Sequence, residues 1–120
     1  MKLRIKGNSL RLRLTRSEVQ RLVEQDSVTE TTAFGGAAEF TYAVRTDAGA
    51  KAVTAEYAAG CMTVMIPAAQ AADWAASELV GVYNEAAGTL TIAVEKDFAC
   101  IDRDDPEDAD AFPNPKRDGC

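Results

Sequence analysis

Polar and apolar positions alternate strictly at the start of the chain. Leu3, Ile5, Leu10, Leu12 and Leu14 fall on one face, while Lys2, Arg4, Lys6, Arg11 and Arg13 fall on the other. Successive strand side chains point to opposite faces, so this pattern predicts two strands of a hairpin. Gly7-Asn8 between them fits a two-residue turn that needs positive φ. The implied register sets Arg4 opposite Arg11 and Lys2 opposite Arg13. Like charges directly across a ladder repel, so this face calls for an anion.

Period two then gives way to period 3.6. Thr15 and Glu18 have the spacing of a capping box, and Val19, Leu22 and Val23 follow on one helical face, ending near Asp26. Val28 to Phe34 reads as a threonine-rich strand, Gly35-Gly36 as a turn, and Phe40, Tyr42 and Val44 as the next alternation. After Asp47-Ala48-Gly49 the sequence of patterns recurs. Val53–Tyr57 and Met62–Ile66 form strands around Ala59-Gly60. Pro67 suits the first turn of a helix carrying Ala71, Trp74 and Ala75. Val80–Tyr83 and Leu90, Ile92 and Val94 follow as strands. The spacing therefore predicts two ββαββ repeats, at about 1–47 and 51–98, in one α+β domain spanning residues 1–98. They would form a mostly antiparallel sheet sandwich or a partly closed barrel with two short helices, and the pattern leaves that choice open. The predicted core is Leu3, Ile5, Leu12, Leu22, Phe40, Tyr42, Val64, Ile66, Trp74, Leu90, Ile92 and Val94. Residues 99–120 form an acidic, proline-containing C-terminal segment expected to dock on the domain.

Charge sharpens this picture. The 120-residue chain has a net charge of −6. Residues 1–22 carry seven basic side chains and one acidic, whereas residues 95–120 carry four basic and nine acidic. A basic hairpin is thus attached to an acidic body, and the carboxylates of Asp102, Asp104, Asp105, Glu107, Asp108 and Asp110 sit in the same chain at high effective concentration. Internal neutralisation of the hairpin by this tail is the preferred reading, with Ile101 and Phe112 as apolar anchors. Surface charge pairs are individually weak, so a solvated face or an external anionic partner stays open. Nucleic acid is the weaker partner, because no aromatic residue interleaves the basic strands to stack on bases.

Composition excludes several chemistries. Histidine is absent, which removes Ser-His-Asp and Cys-His catalysis and histidine-ligated metal sites. No phosphate-cradling glycine loop is present. Cys61, Cys100 and Cys120 form no CxxC pair. Cys100 and Cys120 flank the acidic run and could pair or, with Asp102, supply metal ligands, but free thiols are the simpler reading for a cytoplasmic protein. No apolar run approaches the ~18 residues of a membrane span. The strand around Met65 is apolar on nearly both faces, which calls for burial or a covering partner such as a second copy. The leading expectation is a non-catalytic binding or interaction module without a cofactor. The alternatives are a metal-binding protein built on Cys100 and the tail, or a phosphate- or metal-dependent enzyme using the hairpin.

The opening Met1-Lys2-Leu3-Arg4-Ile5-Lys6-Gly7-Asn8-Ser9-Leu10-Arg11-Leu12 resembles a family of small bacterial proteins. So do Val94-Glu95-Lys96-Asp97-Phe98 with Cys100, and Asp110-Ala111-Phe112-Pro113-Asn114-Pro115. The resemblance spans the chain and implies a bacterial single-domain protein. It carries no established activity, cofactor, partner or functional residue.

Overall fold

In the computed structural model, residues 1–84, 90–98 and 110–113 are described. Alternating stretches become strands β1 (Lys2–Lys6), β2 (Ser9–Leu14), β3 (Ser27–Ala33), β4 (Glu39–Asp47), β5 (Thr54–Ala58), β6 (Cys61–Pro67), β7 (Gly81–Tyr83) and β8 (Thr91–Lys96). Helices α1 (Arg16–Gln25) and α2 (Ala68–Ala76) follow β2 and β6. The element order is therefore ββαββ twice.

The strands do not pair by unit. The first sheet has the order β1-β2-β8-β7 and the second the order β3-β4-β6-β5. Each joins the leading hairpin of one unit to the trailing hairpin of the other. The seam is a parallel pair in both: β2 with β8, matching Leu12 to Val94, and β4 with β6, matching Val44 to Val64. Parallel neighbours cannot be linked by a tight hairpin, so their connections must run through distant parts of the chain. The result is two open mixed sheets rather than a closed barrel.

One hydrophobic core draws on both sheets and both helices, with Leu12, Leu14, Leu22, Val28, Val44, Val64, Ile66, Trp74 and Val94 almost fully enclosed. Trp74, from α2, is the largest of them, and its indole N–H donates to the Val80 carbonyl at 3.1 Å. A buried indole needs such a partner. Helix α1 starts with the expected capping box: the Thr15 hydroxyl accepts from the Glu18 N–H, and the Glu18 carboxylate accepts from the Thr15 N–H. It ends at Asp26, whose φ of 65° lies in the left-handed region.

Three expectations are corrected. Ile5 is 59% exposed, because β1 is an edge strand and Ile5, although paired with Leu10, stands at an opening between the two sheets. Val23 is exposed on the rim of α1 instead of joining Val19 and Leu22. Pro67 closes β6 and caps α2 from outside, so the helix proper begins at Ala68. Strand β6 is flanked on both sides by β4 and β5. Its inner face, Met62, Val64 and Ile66, is buried, while Cys61, Thr63 and Met65 lie half-buried on the outer face. Among the described residues no helix is long and apolar enough to cross a membrane.

Candidate functional site

The outer face of the first sheet is built by the alternation of β1 and β2. Gly7, at φ 53°, turns the chain so that Arg4 lies opposite Arg11 and Lys2 opposite Arg13. Strand β8 adds the next column, setting Ala93 beside Arg11 and Glu95 beside Arg13. Strand β7 adds Tyr83 and Gly81 beyond these two. Five cations thus share one flat face with a single carboxylate column.

That column neutralises only part of the charge. Glu95 holds Arg11, with Nε to Oε1 at 3.3 Å, and accepts the Tyr83 hydroxyl at 2.8 Å. Burial, then the bond to Glu95, pushes the Tyr83 phenol above its ordinary pKa. Lys2 reaches Asp97 at 3.2 Å. Arg4, Lys6 and Arg13 have no ion pair among the described residues. Arg4, Lys6 and Arg11 converge with Ser9 and Thr91 on a depression of about 210 Å³ over Ala93. Its chemistry suits an anion: three cationic side chains and two hydroxyls, with the one nearby carboxylate already engaged.

A second polar cluster lies where β1 begins, and the sequence pattern does not reveal it. The Met1 ammonium is enclosed and donates to Glu18 Oε2 at 2.5 Å and Glu30 Oε1 at 2.8 Å. The Tyr42 hydroxyl donates to the other Glu30 oxygen at 3.1 Å. Burial opposes the charged amine, but the two carboxylates outweigh it and hold its pKa above the ordinary value. Burial likewise opposes ionised Glu18, and the ammonium together with the Thr15 N–H holds that carboxyl below its usual range. Met1, Glu18 and Glu30 line a cleft of about 370 Å³ with Lys2, Arg21, Asp97 and Asp110. The Met1 ammonium is bound by Glu18 and Glu30, and Lys2 by Asp97, so the cleft is a clamp between the β1 edge, α1 and β3. The one signal in the sequence was Glu30, an acid interrupting the inward positions of β3.

The candidate residues of the tail separate into two groups. Asp110 shares the cleft with Lys2, and its own hydrogen bonds go to α1. Its carboxylate accepts from the Ser17 N–H at 3.2 Å and the Ser17 hydroxyl at 2.5 Å, in the first turn of α1. Those bonds hold its pKa below the usual carboxylate range. Beside it, Phe112 pairs with Phe98 in a parallel bridge and its ring lies 5.1 Å from Lys96 Nζ. Asp102, Asp104, Asp105, Glu107 and Asp108, and the thiols of Cys100 and Cys120, lie outside the described residues. Among the described residues no group of three or more cysteine, aspartate or glutamate side chains is placed to hold a metal ion.

A family model described as a family of unknown function, DUF7009, matches residues 1–116. No curated protein and no solved structure matches the chain.

Proposed function

The chain belongs to the DUF7009 family of unknown function, and on that footing we propose a non-catalytic interaction module that docks an anionic protein segment on the outer face of its first sheet. The observation that carries this reading is the pairing of Arg4 against Arg11 while Arg4, Lys6 and Arg13 lack any ion pair among the described residues. Such a ladder is repulsive until an anion lies across it. Carboxylates suit the face better than nucleic acid: no aromatic ring stands between the cations of β1 and β2, and the whole chain is negative.

The chain's own acids compete for the same face. Phe98 and Asp110 tether the eleven residues between them, whose contour is about 3.4 Å per residue. Returning to its anchor, such a segment reaches about 18 Å. The four steps from Lys2 to Lys6 along β1 cover about 14 Å. Asp102, Asp104, Asp105, Glu107 and Asp108 therefore act as an intramolecular competitor that an external acidic segment displaces. In the same reading the two ββαββ units are an internal repeat, supported by the matching places of Leu12 and Val64 and of Val44 and Val94 in the two seams.

Heparin, a generic polyanion, tests the face directly. Changing those five acids to Asn or Gln is expected to create heparin affinity that falls with salt, and adding Arg4→Glu and Lys6→Glu to remove it. A neutralised chain that ignores heparin at low salt refutes the proposal.

A further inference from the structure

The two sheets part at the end where β2, β4, β6 and β8 begin, opposite the ends from which both helices leave. Between them lies an apolar mouth of about 420 Å³, a volume within the range of small-molecule sites. Its floor is Leu10 and Met62, both nearly buried, and its lips are Ile5 and Tyr57, the latter 69% exposed. One wall, from the first sheet, is aliphatic: Ile5, Leu10 and Leu90. The facing wall is aromatic, with Phe40 and Tyr57 centred 6.5 Å apart and tilted by 34°.

The two units explain why there is room. Strand β5 stands at the edge of the second sheet as β1 does at the edge of the first. Where β1 and β2 match Leu3 to Leu12, β5 and β6 match Ala55 to Val64. The smaller pair leaves unfilled the space that leucines fill on the other side, and Ala55 lines the mouth. Glu56 also lines its rim, and the alternation of β5 sets its side chain on the outer face beside Thr63. The basic face, with Arg4 and Lys6, is on the opposite side of β1.

We propose that this mouth binds a small hydrophobic organic cation, its apolar body between the aliphatic and aromatic walls and its positive charge against the rings of Phe40 and Tyr57. Aromatic faces attract cations through the ring quadrupole, an attraction that an anionic or neutral ligand does not gain. Depth commits the site to a narrow occupant: packed sheets lie ~10 Å apart, and only a single ring or branched chain reaches Met62 between them.

Benzyltrimethylammonium is the probe, followed by calorimetry and by the NMR shift of the Met62 methyl group in the full chain. Saturable binding that moves that methyl is expected, at least about five-fold tighter than for the neutral isostere neopentylbenzene. Ala55→Leu should abolish it by filling the mouth while leaving thermal stability equal or higher. Tyr57→Leu, at an exposed position, should weaken it about three-fold or more. Equal affinity for the neutral isostere, unaltered binding in Ala55→Leu and Tyr57→Leu, or no saturable binding overturns the proposal. So does a dimer in sedimentation that Ala55→Leu dissolves, since that result assigns the mouth to a second copy of the chain.

Discussion

Glu18 does three things with one side chain. It completes the cap of α1, binds the Met1 ammonium, and is itself almost wholly buried. Removing it leaves an enclosed ammonium with Glu30 alone, so Glu18→Ala is expected to cost about 2–4 kcal/mol in urea denaturation. The pH dependence follows from the two shifts. Glu18 titrates lower in the folded chain than in the unfolded chain, so its stabilisation is present above the ordinary carboxylate pKa and is lost as pH falls through the lowered value. The amine titrates higher when folded, so its share is present below its ordinary value and is lost as pH rises through the raised one. Lys96 works in the opposite sense at alkaline pH. Burial lowers its pKa, so the folded chain gains stability as pH rises through the lowered value towards the ordinary lysine value. A urea series in a Lys96→Met background from about pH 8 to about pH 9, below the range where the raised phenols of Tyr42 and Tyr83 contribute, reports the amine: stability should decline, and a flat profile there refutes the clamp.

At the scale of elements, the tightest constraint is at the start of β7. A Cβ on Gly81 would lie 2.7 Å from the Val94 carbonyl oxygen and 3.0 Å from the Tyr83 hydroxyl. The Tyr83–Glu95 bond spans the spot that a side chain would occupy. Gly81→Ala must push β7 from β8 or break that bond, and is expected to cost about 1–3 kcal/mol by thermal unfolding. A change under half a kcal/mol would mean that the edge strand yields freely. The same element shows where sequence reading stops. Alternation and capping made the elements legible, since Leu10, Leu12 and Leu14 or Thr15 and Glu18 act within a few residues of one another. Which strands would pair was not legible. Val94 reports that it is buried, but nothing local to it says that Leu12, far earlier in the chain, is its neighbour. The cationic face was legible because it lies within one hairpin. The Met1 clamp was not, because a terminal amine has no pattern, and the mouth was not, because it depends on Ala55 being smaller than its counterpart Leu3.

Across the whole molecule, the N-terminal hairpin and the C-terminal segment meet at one place, and apolar anchoring does more there than charge. Lys2 pairs with Asp97, Phe112 N–H donates to the Asp97 carbonyl at 2.9 Å, and Asp110 caps the first turn of α1 through Ser17. Phe112 lies edge-on to Phe98 at 6.0 Å and over Lys96, while Ala111 between the two anchors is buried. Lys96 in turn donates to the Ser77 carbonyl at the end of α2 at 2.6 Å. One aromatic ring therefore shields a buried lysine that ties the last strand to the second helix. Truncation after Phe98 removes the ring, the cap and the acids together, and is expected to cost about 3 kcal/mol. Exposed ion pairs are each worth about 0–1 kcal/mol and are screened by salt, so the acids should account for the smaller part of that loss. Phe112→Ala alone should then recover about half of the truncation effect, at low and high salt alike. Neutralising Asp102, Asp104, Asp105, Glu107 and Asp108 should change stability little while altering polyanion binding. If neutralisation destabilised the chain as much as truncation does, and salt reproduced the effect, charge would be the anchor and Phe112 an incidental contact. The expected outcome separates two roles in one segment: Asp110 to Phe112 hold it to the body, and the acids before them govern access to the cationic face.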